Sequence, residues 1–285
     1  MTDPAATLGW SAPGEETLDE DAVAAYALAT NDPNPRYQDG RAVPPLFTAT
    51  VIMQAERESR RLGLGPHVVV GAGDSVHGQH DIHFRRPVRP GMAVRCRAES
   101  ISAHQTSRGV LATQRIVVTD PAGVPHVEHL WSNLHLGGNV TRDVGPPLPG
   151  HSFPEAARGR PIGVRVVPVD RDQTFRYAGV SGDHIGHAVN DEVARSEGYP
   201  RKILQGMCTF GLASGAVADL VADGDPERLR RLAVRFARPA FPGRELEVHV
   251  YEAGRTRDGI RAFAFEGAQD GITVLRHGRV ELVDP

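Results

Sequence analysis

The chain repeats itself at about half its length, and no other feature restricts its fold as strongly. Tyr26-Ala27 precedes Asp32 as Tyr177-Ala178 precedes Asp183, an offset of 151 (177 less 26). Further on, Phe84-Arg85-Arg86-Pro87-Val88-Arg89-Pro90-Gly91 matches Phe236-Ala237-Arg238-Pro239-Ala240-Phe241-Pro242-Gly243 at an offset of 152 (236 less 84). Two separated segments sharing nearly one offset point to a tandem duplication. A length of 285 residues accommodates two domains of ordinary size. Between the copies, Gly137 to Gly163 is rich in Pro and Gly and lacks apolar periodicity, as a connector should. The expected division is therefore 1–138 for the first domain, 139–163 for the linker and 164–285 for the second. A linker of this length is expected to cross between the halves along the surface.

Each half follows the same coarse order. A short helix opens it, over Glu20 to Ala29 in the first half and Arg171 to Val180 in the second. A polar loop follows, then a strongly apolar helix, Leu46 to Arg61 and Ile203 to Val221. Gly211 and Gly215 lie inside the latter. Glycine within a helix costs about 1 kcal/mol relative to alanine, so close packing by a neighbouring element is the expected compensation. Strand patterns come next. Leu232 to Phe236, Leu246 to Val250, Val94 to Ala98 and Ile116 to Val118 alternate at period two. The Pro-x-x-Pro-Gly segment reads as a turn in both halves. One long helix followed by antiparallel strands, twice over, is an α+β architecture.

The bulk chemistry excludes several classes. A hydrophobic fraction of 40% with 24% charged residues is that of a globular protein. A net charge of -3 argues against a nucleic-acid partner. No apolar run is long enough to span a bilayer, and the N-terminal MTDPAATLGW has neither the basic nor the apolar region of a secretory signal. Cys96 and Cys208 are too few for a disulfide framework. A reduced, cytoplasmic protein is expected. Lys202 is the only lysine, which reflects base composition more simply than any thermal adaptation.

The segment that carries chemistry lies in the second half. Tyr177-Ala178-Gly179-Val180-Ser181-Gly182-Asp183-His184-Ile185-Gly186-His187 is followed by Gly198-Tyr199-Pro200-Arg201-Lys202-Ile203-Leu204-Gln205-Gly206-Met207. Together with Arg235-Phe236 through Pro242-Gly243, this resembles the MaoC-like (R)-specific enoyl-CoA hydratase and dehydratase family. That pattern runs Tyr-Ala, Ser-Gly-Asp-x-Asn-Pro-x-His, Gly-Phe-x-x-x-Ile-x-His-Gly-Met. The resemblance covers most of the second half and the first half more weakly. It implies a double hot-dog, two tandem domains each with an antiparallel sheet wrapped around a long helix. It also implies a hydro-lyase that adds water to a 2-enoyl thioester, or removes it from the 3-hydroxyacyl form. In that family an Asp and a His handle the water, and a backbone N–H at the start of the hot-dog helix holds the thioester oxygen. Asp183, His187 and the Gly206 N–H are the matching positions, with Ser181, Gln205 and His184 as supporting candidates.

Elementary chemistry supports the same assignment. Hydration builds negative charge on the thioester oxygen, which a fixed N–H at a helix N-terminus stabilises. Glycine there leaves room for the ligand. An Asp–His pair can share the proton of a water molecule. The competing reading of Asp183 is a turn or helix cap.

The chain departs from the pattern in instructive places. The family histidine lies five residues after the Asp, where this chain has Ala188; His187 comes one residue early and His184 four. Ile185 and Gly186 stand at the Asn-Pro positions, and Gln205 replaces the His before the glycine. The first half keeps Asp32-Pro33-Asn34-Pro35 but has Tyr37 at the His position. Tyrosine, with a pKa of about 10, is a poor base at neutral pH. The first half is expected to be substrate-binding and structural, with Asp32 a turn residue.

Other constellations carry less. His77, His80 and His83 lie three apart, so on a regular strand His77 and His83 share a face and His80 does not. No metal site is expected there or at His126, His129 and His135. Gly71 to Asp74 is a glycine-rich turn without a nucleotide-binding continuation. Cys208 reads as a buried small hydrophobe. Arg201, Arg235 and Arg238 are candidates for the phosphates of coenzyme A or phosphopantetheine, against a solvated surface role. No separate cofactor is needed, because coenzyme A or the carrier arm belongs to the substrate. The expected partners are an acyl thioester, an acyl carrier protein as the alternative to coenzyme A, and a second copy in a homodimer. Two other functions fit the residues: a specialised dehydratase or cyclase on an unusual acyl thioester, and a non-catalytic acyl-thioester-binding subunit.

Overall fold

The computed structural model describes residues 9–11, 15–62 and 75–284; the Gly71–Asp74 turn lies outside them. In chain order the elements are β1 (Gly9–Ser11), β2 (Glu16–Thr17), α1 (Glu20–Ala29), α2 (Pro35–Gln38), α3 (Thr48–Leu62), β3 (Ser75–Phe84), β4 (Ala93–Thr106), β5 (Gly109–Thr119) and β6 (Pro125–Leu136). Then come β7 (Gly163–Val167), α4 (Gln173–Ser181), α5 (Gly186–Val189), α6 (Asp191–Ser196), α7 (Gly206–Ala222), β8 (Leu229–Phe236), β9 (Leu246–Arg255), β10 (Arg261–Gln269) and β11 (Ile272–Leu282). They form two compact units, one of residues 1–16, 51–86 and 93–150, the other of 17–50, 87–92 and 151–285.

In the first unit the strands run β1-β4-β5-β6-β3, antiparallel throughout. Cys96, Ala98, Ile116, Val118, Val127 and Ile82 share one face and are buried. Against it packs α3, with Ile52 and Ala55 fully buried and the Cys96 thiol 3.8 Å from the Val51 carbonyl. The same face becomes polar along the sheet. The Asn133 amide donates to Glu56 Oε1 at 3.3 Å, the Gln114 amide to the Glu56 carbonyl at 3.4 Å, and the Trp131 indole N–H to Asn133 Oδ1 at 3.2 Å.

The histidines of β3 do not follow the regular alternation. A bulge between His77 and Gln79 shifts the register against β6. It brings His77 and His80 together, contrary to the pairing of His77 with His83 expected from spacing. His80 Nδ1 lies 3.3 Å from His77 Nε2 and His80 Nε2 lies 2.9 Å from His129 Nδ1. The His77 ring stacks on Trp131, with centroids 4.2 Å apart, while His83 pairs with Asp81 at 3.3 Å. Burial, with small contributions from neighbours, holds His77 and His129 down at about 3 and His80 well below its ordinary range. These are neutral packing histidines, and among the described residues no cluster of His, Cys, Asp or Glu fits a metal ion.

In the second unit the sheet runs β8-β11-β10-β9-β7, with α7 packed on β7 and β9 and buried along most of its length. The close packing expected from its glycines is present. A Cβ at Gly211 would lie 3.0 Å from the Thr30 methyl, and one at Gly215 only 2.5 Å from Asp32 Oδ2. The two opening helices of the repeat lie side by side in this unit. The duplicated Tyr26 and Tyr177 rings meet edge-on at 6.0 Å, and the Gln173 amide donates to the Ala29 carbonyl at 2.5 Å. Asp32 accepts the Asn34 N–H at 3.1 Å, so it is a turn residue, and burial raises its carboxyl to about 6. Both Pro-x-x-Pro-Gly segments turn through a left-handed glycine, Gly91 at φ 78° and Gly243 at φ 76°.

The connector is anchored more firmly than a surface crossing requires. Val144 forms a bridge to Ala103 in the first unit. In the second, buried Phe153 packs on Tyr251 and Ala264, and its N–H donates to His277 Nδ1 at 3.1 Å. Among the described residues no helix is long and apolar enough to cross a membrane.

Candidate active site

The site is assembled where α4 ends and α7 begins. Helix α4 stops because Gly182 adopts φ 69° and donates its N–H back to the Ala178 carbonyl at 2.9 Å. Ser181, buried in the last turn, donates its hydroxyl to the Tyr177 carbonyl at 2.7 Å and accepts the Asp183 N–H at 3.2 Å. Ser-Gly-Asp is thus a helix-termination device that presents the next residue, Asp183, half-buried. The caps of the next two helices are Ile185 and Asn190, so Asp183 is not a helix cap. Burial pushes the Tyr177 phenol well above its usual range, and the Asp183 charge adds to this. Burial and the same charge raise the Cys208 thiol, with Arg176 opposing.

Gln205 locks this loop to the helix that follows. It precedes α7 but gives that helix no side-chain cap. Its buried amide instead donates to the Thr174 carbonyl at 3.0 Å and to the Asp183 carbonyl at 3.1 Å. The first turn of α7 therefore keeps N–H groups that its own cap does not satisfy, and the Gly206 N–H is the first of them. A Cβ on Gly206 would meet the Phe236 ring at 3.3 Å, so glycine keeps this entrance to the helix clear. One network thus brings together Ser181, Asp183, Gln205 and Gly206.

The histidines separate. His184 is exposed, and its N–H donates to the Gly182 carbonyl at 3.2 Å. His187 lies in α5, its carbonyl accepting the Ile203 N–H at 3.2 Å. Its Nδ1 is 2.7 Å from Glu197 Oε2, and its ring meets Tyr199 edge-on at 5.5 Å. Ala188, at the position of the family histidine, is fully buried. Glu197 and Tyr199 were not among the sequence candidates. They reach His187 only because α5 and α6 fold back on one another, which no periodicity announces.

Of the arginines named as phosphate candidates, Arg201 lies over the Phe241 ring at 5.3 Å, as Arg244 does. Arg238 is exposed. Arg235 stands opposite Arg276 across β8 and β11, and burial with that neighbouring charge lowers its pKa. Cys208 is fully buried on α7, as expected.

Known proteins match both halves. Residues 154–266 match the family profile described as MaoC like domain, and residues 6–127 the one described as FAS1-like, dehydratase domain region. A probable enoyl-CoA hydratase 2 of Dictyostelium discoideum is 24% identical over 74% of this chain and 70% of its own length. An enoyl-CoA hydratase of Mycobacterium tuberculosis is 33% identical over 67% of this chain and 65% of its own length. Among solved structures, a MaoC-like dehydratase from Phytophthora capsici superposes with a TM-score of 0.81 at 20% identity, covering 98% of this chain and 96% of that one. A Mycobacterium tuberculosis protein described as having a double hot-dog fold gives 0.59 at 14% identity, covering 96% and 94%.

Proposed function

The chain belongs to the MaoC-like hydratase and dehydratase family and has its double hot-dog fold, and from that membership we propose that it is a hydro-lyase acting on 2-enoyl and 3-hydroxyacyl thioesters. Asp183 and His187 hold the reacting water and exchange protons with it and with the α-carbon. The Gly206 N–H, at the uncapped start of α7, takes the charge that builds on the thioester oxygen. One observation carries this reading: the Gln205 amide donates to the Asp183 carbonyl at 3.1 Å, tying the Asp183 loop to the foot of the helix that supplies the N–H. Enoyl and hydroxyacyl forms differ by one water, so the same groups serve both directions. The chemistry calls on acid–base groups and backbone dipoles alone, and any coenzyme A or carrier arm arrives with the substrate.

The reading assigns residues 164–285 as the catalytic hot-dog and 1–138 as its substrate-binding and structural counterpart, joined by 139–163. It takes coenzyme A as the carrier to test first, with an acyl carrier protein as the alternative, in a cytoplasmic homodimer. The test is hydration of crotonyl-CoA, followed by loss of the enoyl-thioester absorbance. The parent turns it over; Asp183→Asn binds the thioester and loses at least a hundredfold in kcat. Equal rates for parent and variant would leave a non-catalytic thioester-binding subunit as the better account. The placement of Ala188 where the family has histidine favours a second reading, a dehydratase or cyclase on an unusual acyl chain. That reading requires a parent inert towards crotonyl-CoA.

A further inference from the structure

The one-residue displacement of the histidine has a structural counterpart. One residue along a helix is a rotation of about 100°, so His187 leaves α5 in a different direction from the buried methyl of Ala188. Nothing in α5 itself holds a ring in that direction. The holding group comes from the next helix. Gly186 lets the two helices touch: a Cβ there would lie 2.7 Å from the Val193 side chain. Asn190 caps α6, accepting N–H groups from Glu192 and Val193 at 2.8 and 3.3 Å. Gly198, at φ 87°, ends it, donating to the Arg195 carbonyl at 3.0 Å. Glu197 therefore sits at a helix end fixed on both sides, 2.7 Å from His187 Nδ1. Tyr199, pinned by its N–H to the Ala194 carbonyl at 2.9 Å, closes the ring in from its edge.

We propose that Glu197 is a positioning residue that holds His187 in the tautomer with the proton on Nδ1, so that Nε2 is the nitrogen that handles the substrate's proton. A carboxylate accepts and does not donate, so the contact requires the proton on Nδ1. Free imidazole side chains favour the opposite tautomer, with Nε2 protonated and unable to act as a base. Glu197 thus performs two tasks: it fixes the ring direction that displacement by one residue took away, and in the neutral ring it leaves the proton off the working nitrogen. The inference that this matters to turnover rests on His187 being catalytic, whereas the tautomer assignment does not.

The experiment therefore has two readouts on the full chain. With histidine labelled by nitrogen-15, the parent is expected to show His187 protonated at Nδ1 at neutral pH. Glu197→Ala is expected to shift it towards the Nε2-protonated form. Loss of an orienting partner of this kind reduces activity about tenfold to a hundredfold. The loss should fall on kcat with crotonyl-CoA, leave KM within about threefold and be partly restored in Glu197→Gln, whose amide oxygen still accepts from Nδ1. A parent already protonated at Nε2, or a tautomer unmoved in Glu197→Ala, overturns the proposal. So does an unmoved kcat where His187→Ala is inactive. If His187→Ala turns over normally, the hydratase role of His187 fails, and the nitrogen spectrum still decides whether Glu197 orients the ring.

Discussion

The three neutral imidazoles inside the first unit should make the protein acid-labile by an amount that can be worked out. His80 and His129 are fully buried, and burial holds His129 at about 3 and His80 well below its ordinary range. A histidine that stays neutral when folded but titrates at about 6.5 when unfolded gives the unfolded chain more protons. Stability then falls as pH falls through 6.5, and continues to fall until the folded value near 3 is reached. At pH 5 the unfolded imidazole is 1.5 pH units below its pKa. The cost is then about 2 kcal/mol for His129 alone, set by the unfolded side while the folded value stays low. His80 and His77 act in the same direction. Total stabilities are about 5–15 kcal/mol, so this is a large fraction. The assay is urea unfolding followed by circular dichroism at pH 7.5 and pH 5 for the parent and for His129→Gln. The variant keeps a polar group towards His80 and cannot titrate. Carboxylates common to both proteins cancel in the comparison. The parent should lose about 2 kcal/mol more than the variant between the two pH values. Identical losses would mean that His129 is solvated or already charged in the folded chain.

Other substitutions test other joints of the structure. Gly215→Ala places a Cβ 2.5 Å from Asp32 Oδ2 and should destabilise by about 1–3 kcal/mol through overpacking, read as a lowered urea midpoint. Gln205→Ala removes both amide bonds that tie α4 and the Asp183 loop to the foot of α7; an activity loss larger than the accompanying stability change of about 1–3 kcal/mol is expected from parallel kinetics and unfolding. Phe153→Ala strips the connector of its packing on Tyr251 and Ala264 and should cost about 3–5 kcal/mol, with limited proteolysis then cutting near residue 153.

What was legible in the chain, and what was not, divides by physical origin. The duplication was readable because two copies of one packing problem keep similar residues at one offset. The strand face of β9 follows from period-two alternation, whereas β8 buries Leu232, Ala233 and Val234 in succession, both faces being covered. The glycines of α7 announced a close neighbour, because their helical cost needs a return, and Thr30 and Asp32 supply it. The histidine faces of β3 were misread because one bulged residue reverses the side-chain alternation beyond it, and local composition carries no mark of a bulge. Most of the connector is exposed, as its composition implies, but its anchor gave no signal, since a single apolar residue, Phe153, does not produce a pattern.

The site shows the same division within a few residues. Ser181, Asp183, Gln205 and Gly206 are brought together by a helix terminator and a helix start, both of which have local sequence signals. His187 and Glu197 are ten positions apart in the chain, one in a helix of four residues and the other at the end of a helix of six. Helices so short have no resolvable periodicity, and their packing is set by Gly186 against Val193. That is why the motif alone named His187 as the stand-in for a histidine at 188 without showing what holds its ring. A motif match compares positions, but proton transfer compares directions and partners. A displaced ring with a carboxylate on Nδ1 can present the same free nitrogen as an undisplaced ring without one. Departures by one residue in such loops are therefore better judged by the hydrogen-bond partner of the remaining imidazole than by the alignment column.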